Sequence, residues 1–193
     1  MTSQRHISER PAPKGTPLLD AARECVLDVG LRRTTLADVA RRAGVSRMTV
    51  YRQYSDLPTL VSALLTRELL EVMDEVDAEV RPLPTARERL VAAALLVVDR
   101  VDRNDVYRRV LDLDPEMLLP LVVDRFGSTQ RAALELIAAQ VREGQRDGSV
   151  HAGDADRMAT AVLLACQSFV FSARLVDDTT LAELRPLLDG YLR

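Results

Sequence analysis

The side chains with the clearest chemistry in this sequence lie in one short stretch, SRMTVYR. They are Ser46, Arg47, Met48, Thr49, Tyr51 and Arg52. An arginine can present two donors to guanine O6 and N7, a methionine or threonine can touch a thymine methyl group, and hydroxyl groups suit phosphate oxygens. We therefore expect this stretch to contact double-stranded DNA, with Arg47 as the main reader of bases.

Two short helices are predicted to position these side chains. The first begins at Thr35, where Asp38 can complete a capping box, and it ends at Gly44. Ser46 can cap the second helix, in which Val50 and Tyr54 lie four residues apart and share a face. The base- and phosphate-binding side chains then point away from that face, toward solvent.

The connection between these two helices has the features of a helix-turn-helix. A tight turn favours glycine at position 44, and a close helix crossing favours the small Ala40. Val45 and Val50 can pack the second helix against the first. An amphipathic helix that starts near Pro17 and stops at Gly30 precedes the pair, which predicts a three-helix head.

Residues 34 to 60 read TTLADVARRAGVSRMTVYRQYSDLPTL. With this stretch at its centre, the chain resembles the TetR family of bacterial transcriptional regulators over residues 16 to 65. The resemblance implies an all-α homodimer, with the N-terminal head in the major groove and a C-terminal helical domain that binds a small effector and dimerises. It also implies that Thr35 lies near a phosphate, that Arg47, Met48 and Thr49 lie nearest the base edges, and that Tyr51 touches the DNA backbone.

One position departs from the family pattern. Most members place a lysine at the start of the fourth helix, where its charge and the helix N-terminus together hold a phosphate. Here that position is Leu57, and Pro58 removes a backbone donor. Asp56 is predicted to cap the helix instead, so we expect one phosphate contact fewer.

Charge is divided unevenly along the 193 residues. Residues 1 to 60 hold ten Lys or Arg against six Asp or Glu, whereas residues 61 to 193 hold sixteen against twenty-three. The net charge of −3 therefore hides a basic head and an acidic remainder, which suggests that only the head meets a polyanion. Further arginines surround the reading stretch, namely Arg32, Arg33, Arg41 and Arg42. Residues 1–15 are predicted to be a flexible basic arm.

The pattern stays helical after the head, so the fold class is all-α with two parts. We expect a helix-turn-helix DNA-binding domain at residues 16–60 and a helical ligand-binding and dimerisation domain at residues 61–193. Predicted starts include Asp56, a capping box at Thr85 and Glu88, and Asp154. Helices near 154–176 and 180–192 carry more apolar surface than one small domain needs. The family resemblance assigns them to the dimer interface; packing inside the monomer is the alternative.

A pocket for the effector is expected among the middle helices. Its candidate lining is Leu96, Val97, Arg100, Tyr107, Met117, Leu121, Val122, Phe126 and Phe169. Pro120 should interrupt a helix there, which leaves space and free backbone groups. Arg100 or Tyr107 would supply a polar contact, and the remaining side chains favour an apolar or amphipathic molecule. For each residue, ordinary core packing is the alternative.

Other function classes find little support in the sequence. His6 and His151 lie outside predicted helices, and no nucleophile–base pair or metal-ligand spacing is evident, so we expect neither an enzyme nor a cofactor. No run is long and apolar enough to span a membrane, and no signal peptide is recognisable, so we expect a cytoplasmic protein. The remaining alternative is a helix-turn-helix regulator whose C-terminal domain binds a protein partner.

Overall fold

A computed structural model describes residues 17–113, 127–172, 175, 177 and 182–193. This part of the chain contains nine α-helices and no strand, which confirms the all-α prediction. The helices are α1 Pro17–Val29, α2 Leu36–Arg42, α3 Arg47–Gln53, α4 Leu57–Val80, α5 Ala86–Arg103, α6 Asp105–Leu113, α7 Ser128–Asp147, α8 Ala155–Ser172 and α9 Leu184–Leu192.

Side-chain caps fix most helix starts where the sequence predicts them. The side chains of Thr35, Ser46 and Asp56 accept the backbone N–H three residues ahead, at the starts of α2, α3 and α4. Thr85 and Glu88 form a complete capping box at α5. At α8, Asp154 accepts two backbone N–H groups, which satisfies donors that a helix cannot use internally.

The head is built around one apolar cluster that α1, α2, α3 and the first half of α4 share. Leu19, Val39, Val50 and Leu60 are fully buried there. The same cluster includes buried side chains of α6, among them Val106 and Val110. The head therefore packs directly against a helix of the second part of the chain, which links the two parts mechanically.

Two further clusters hold the rest of the chain together. One lies among α5, α7, α8 and α9 and has Val91, Val141 and Leu188 at its centre. The other lies between α4 and α5, around Val76 and Val101. Because α4 contributes both to this cluster and to the head, its 24 residues form a continuous connection between them.

Two glycines, Gly144 and Gly148, lie near the end of α7 and have different roles. The helix continues to Asp147, and Gly148 ends it in the left-handed conformation with φ of 78°. Gly144 instead lets Val150 pack closely, since an added Cβ would lie 2.3 Å from the Val150 Cγ2 atom. The interrupted helix expected around Pro120 lies outside the described residues.

No helix within the described ranges has both the length and the apolar character to cross a membrane.

Candidate nucleic-acid interface

The turn between α2 and α3 sets the direction of α3. Gly44 adopts φ of 68°, which costs a residue with a Cβ atom conformational energy, and Val45 donates its N–H to the Ala40 carbonyl at 3.0 Å. Ala40 is fully buried, so the two helices can cross closely. The predicted helix-turn-helix is confirmed, with α3 as its second helix.

One face of α3 is buried and the other is open to solvent. Val50 is fully buried and Tyr54, just after the helix, is 5% exposed. Met48 is 76% exposed and Tyr51 53% exposed, although both carry large apolar groups. On this short polar helix, the exposed methionine and tyrosine form apolar surface that no other described residue covers.

The two arginines of α3 are exposed and carry their charge outward. Within the described residues, neither Arg47 nor Arg52 has an acidic partner. Both guanidinium groups are therefore available to an external acceptor, such as a guanine edge or a phosphate. Two arginines of α2 differ, because Arg41 pairs with Asp38 at 3.0 Å and Arg42 pairs with Asp28 at 2.5 Å.

The serine and threonine hydroxyl groups of the predicted interface are engaged in the helix caps. Thr35 accepts the Asp38 N–H and donates to the Asp38 carboxylate at 2.6 Å. The Ser46 oxygen accepts the Thr49 N–H and lies 2.9 Å from the Thr49 hydroxyl. The Thr35 hydroxyl proton is therefore directed to Asp38, and the Thr49 hydroxyl lies against the Ser46 hydroxyl.

The start of α4 offers few donors to an anion. Asp56 takes the N–H of Thr59 at 2.8 Å, and Pro58 has no N–H. Leu57 is half-buried and packs against the head cluster. Hydrogen bonds from the side chain and backbone of Thr59 lower the pKa of Asp56, so this carboxylate stays charged at neutral pH. Leu57, where the family resemblance implies a lysine, therefore contributes to packing.

The candidate effector residues lie in several places. Leu96, Val97 and Tyr107 border the cluster between α4 and α5, whereas Phe169 borders the cluster among α5, α7, α8 and α9. Tyr107 donates its hydroxyl to the Leu65 carbonyl at 3.0 Å, and burial raises the pKa of this phenol. Four further candidates lie outside the described residues: Met117, Leu121, Val122 and Phe126.

Arg100 faces an open groove rather than an apolar cluster. It pairs with Glu79 and lies 3.7 Å from Glu75, both on α4. The groove has a volume of about 480 Å³ and is lined mostly by charged side chains of α1, α4 and α5. Sequence reasoning missed this pairing because the acidic partners lie more than twenty residues away along the chain.

Similarity to known proteins extends over the head and over the whole chain. Residues 18–64 match the model of the bacterial regulatory proteins, tetR family. The chain is 39% identical over 191 residues to the HTH-type transcriptional regulator Rv2250c of Mycobacterium tuberculosis, covering 96% of this chain and 98% of that protein.

Two solved structures share the fold at low sequence identity. The transcriptional regulator FadR from Bacillus subtilis, in complex with stearoyl-CoA, superposes with a TM-score of 0.64 at 15% identity, over 92% of this chain and 98% of that one. RolR in complex with resorcinol superposes with a TM-score of 0.71 at 14% identity, over 91% and 85%.

Proposed function

The chain belongs to the tetR family of bacterial regulatory proteins, and on that premise we propose that it is a homodimeric repressor of a palindromic operator, released by a small effector. The family assignment makes it a helix-turn-helix transcriptional regulator. The observation that carries the finer proposal is the outward face of α3, where Arg47 has no acidic partner in the described structure and Met48 is 76% exposed.

In this proposal α3 lies in the major groove. Arg47 donates to guanine O6 and N7, while Met48 and the Thr49 methyl group contact thymine methyl groups. The Tyr51 hydroxyl and the Arg52 guanidinium bind phosphate oxygens, which position the helix without reading sequence. Ser46 and Thr35 hold the starts of α3 and α2 and bring their backbone N–H groups toward the DNA backbone.

The missing lysine at Leu57 shifts phosphate binding to other residues. Because the start of α4 has few free donors, attraction to the DNA backbone rests on Arg52 and on the exposed Arg32 and Arg33. Each arginine that neutralises a phosphate releases counterions, so operator affinity should fall steeply as salt rises.

Two observations support the proposed dimer: the small size of the reading surface and the exposed apolar surface of the last helices. One seven-residue recognition helix covers too few bases for useful specificity, whereas a two-fold pair reads two half-sites about one DNA turn apart, roughly 34 Å. Leu164 on α8 and Leu187 on α9 are each 51% exposed, and Tyr191 is 41% exposed. We propose that these helices, within residues 154–176 and 180–192, form the interface.

The effector is proposed to bind beside the cluster between α4 and α5. Leu96, Val97 and Tyr107 lie there, and Arg100 lies at the neighbouring groove. Ligand at this position would shift α4, which also belongs to the head, so effector and DNA affinities would oppose each other reciprocally. The fold holds stearoyl-CoA in one protein and resorcinol in another, so the fold alone does not select the effector.

Selection of bound DNA from a random pool tests the proposal. A palindromic motif with two half-sites would support both the reading head and the dimer. If no sequence is enriched above the pool, the repressor proposal is wrong, and a C-terminal domain that binds a protein partner becomes the better account.

The release step needs its own measurement on the enriched operator. Stearoyl-CoA and resorcinol are suitable first probes, because they differ greatly in size and polarity. A probe that binds the protein to saturation and lowers operator affinity supports release. A probe that saturates the protein and leaves operator affinity unchanged contradicts it for that ligand class.

A further inference from the structure

Two ionisable side chains in the middle of α4 are almost completely buried. Arg67 is 6% exposed and Glu68 is 3% exposed, although residues of these types are rarely buried unless they are paired. They occupy the part of α4 that passes between the head and the second part of the chain. Their burial therefore needs an explanation that the DNA-reading face does not supply.

Glu68 joins three segments of the chain through its two carboxylate oxygens. Its Oε1 accepts from Arg67 at 3.1 Å and lies 3.4 Å from the Nε of Arg23 on α1. Its Oε2 accepts from the Asn104 side-chain amide at 3.1 Å. Arg67 extends the same network to α1, because it donates to Asp20 at 2.6 Å.

Asn104 connects this network to the start of α6. Its side-chain oxygen accepts the backbone N–H groups of Val106 and Tyr107, at 3.0 and 3.1 Å. The amide orientation is fixed chemically, because only the NH₂ group can donate to Glu68 and only the oxygen can accept from α6. Asn104 thus caps α6 with one end and binds Glu68 with the other.

We propose that Glu68 is a positioning residue that ties α1 of the head to the start of α6 and thereby sets the angle at which α3 meets DNA. The proposal rests on the proposed function of α3. A buried charge must keep its partners, so the junction has few alternative arrangements. Because α1 and α3 share the head cluster, a displacement of α1 against α6 also displaces α3.

The amide of Asn104 allows the junction to be broken without loss of the α6 cap. Aspartate caps a helix as well as asparagine does, so Asn104→Asp keeps the acceptor for α6. It replaces the amide donor with a second carboxylate facing Glu68, and the two like charges repel. Adding Glu68→Gln restores one hydrogen bond, in which the new amide at position 68 donates to the new carboxylate at position 104. It also restores the original net charge.

Fluorescence energy transfer measures the distance between the head and the connection between α7 and α8. Gln53→Cys and Ala152→Cys place one dye on the last residue of α3 and one between α7 and α8, both at exposed positions. Mixing with excess unlabelled protein removes signal between protomers. Burial raises the pKa of Cys25, and raises that of Cys166 to about 11, so both native thiols label slowly at neutral pH.

We expect Asn104→Asp to broaden or shift the distance distribution while the protein remains folded. Affinity for the enriched operator should fall about tenfold, within the range of energies that couple neighbouring residues. The double variant N104D/E68Q should restore both the distance distribution and the affinity. If Glu68 and Asn104 only stabilised the fold, Asn104→Asp would lower the unfolding temperature and leave the distance distribution unchanged.

The possible outcomes distinguish failure of this inference from failure of the proposed function. An unchanged distance distribution in folded N104D overturns the positioning role, and so does failure of the second change to restore it. If N104D does not fold, Asn104→Ser takes its place, because serine caps α6 but has no amide to donate to Glu68 and adds no charge. An unchanged distance distribution in that variant also overturns the positioning role. Failure of the unaltered protein to enrich any DNA overturns the repressor proposal, while the distance measurement still tests the junction.

Discussion

Met48 and Val50 lie two residues apart on α3 and face opposite environments: Val50 is fully buried, whereas Met48 is 76% exposed. The buried residue fixes the helix to the head, and the exposed residue presents an apolar group to solvent. The same division holds for Tyr54 and Tyr51, which are 5% and 53% exposed. This division gives α3 a packing face and an exposed face, which we propose as the reading face.

Substitutions of Tyr51 and Arg52 should affect the salt dependence of DNA binding differently, because one side chain is neutral and the other is charged. Tyr51→Phe removes a neutral donor, so affinity should fall for all DNA sequences while the dependence on salt is unchanged. Arg52→Ala removes a charge and should reduce the salt slope by about 1. Operator titrations at several salt concentrations measure both effects. Equal slopes for Arg52→Ala and the unaltered protein would remove Arg52 from the interface.

The proposed dimer interface predicts that an added charge on α9 weakens the dimer. Leu187→Glu places a carboxylate within the proposed contact between α9 and its partner, where burial of an unpaired charge is unfavourable. Sedimentation equilibrium should show the dimer dissociating at concentrations where the unaltered protein remains paired. Met48→Glu is the matched control, because it also charges an exposed apolar residue but lies on the reading face. Equal effects of the two changes would contradict the assignment.

Gly144 and Gly190 predict opposite effects of the same substitution. Glycine to alanine inside a helix usually stabilises by about 0.5–1 kcal/mol. At Gly144 the new Cβ would lie 2.3 Å from Val150, so we expect a loss of about 1–3 kcal/mol from overpacking. At Gly190, apart from its chain neighbours and the backbone of its own helix, no described residue lies within 4 Å of the new Cβ, so the usual gain should appear. Denaturant unfolding measures both changes, and a stabilised Gly144→Ala would refute the close contact.

Asp147 predicts a specific loss of stability in acid. Its carboxylate accepts the N–H of Ala86 at 2.9 Å and of Ser149 at 2.8 Å. Hydrogen bonds from Ser149, and then from Ala86, lower its pKa in the folded state. A lowered folded pKa stabilises the protein above the carboxyl's ordinary pKa, and this contribution disappears as the pH falls through the folded value.

Asp147→Asn should therefore be less stable than the unaltered protein at pH 7, because the amide accepts with only one oxygen. The difference in unfolding free energy should shrink as the pH falls toward and below the folded pKa of Asp147. Urea titrations between pH 7 and 3 measure this difference. A difference that stays constant with pH would show that the charge of Asp147 does not contribute.

Local chemistry explains why the head could be predicted closely from the sequence. The caps at Thr35, Ser46 and Asp56 depend on residues three positions apart, and the turn depends on one glycine. These interactions are short-range, so the residue types and their spacing are enough to identify them. The burial of Val50 and Tyr54 follows from the same kind of spacing, because residues four apart share a helix face.

Long-range pairing explains why the rest could not be predicted. The contacts from Asn104 to Glu68 and from Arg67 to Asp20 join residues 36 and 47 positions apart. Nothing in the local sequence distinguishes these polar and charged residues from residues that point into solvent. Arg42 is a further example, since helix periodicity cannot predict its pairing with Asp28 on α1. Buried polar networks of this kind depend on how helices pack, which single-sequence patterns do not encode.

Repeating the DNA selection with Arg47→Ala tests the central claim, that α3 reads bases, most directly. The enriched palindrome should lose its preference at one base pair in each half-site, with a cost of about 1–3 kcal/mol at that position and little change elsewhere. Arg41→Ala is the matched control, because Arg41 is an exposed arginine of the head that pairs with Asp38. It should retain the full motif. An unchanged motif for Arg47→Ala would contradict the claim that this face of α3 reads DNA sequence.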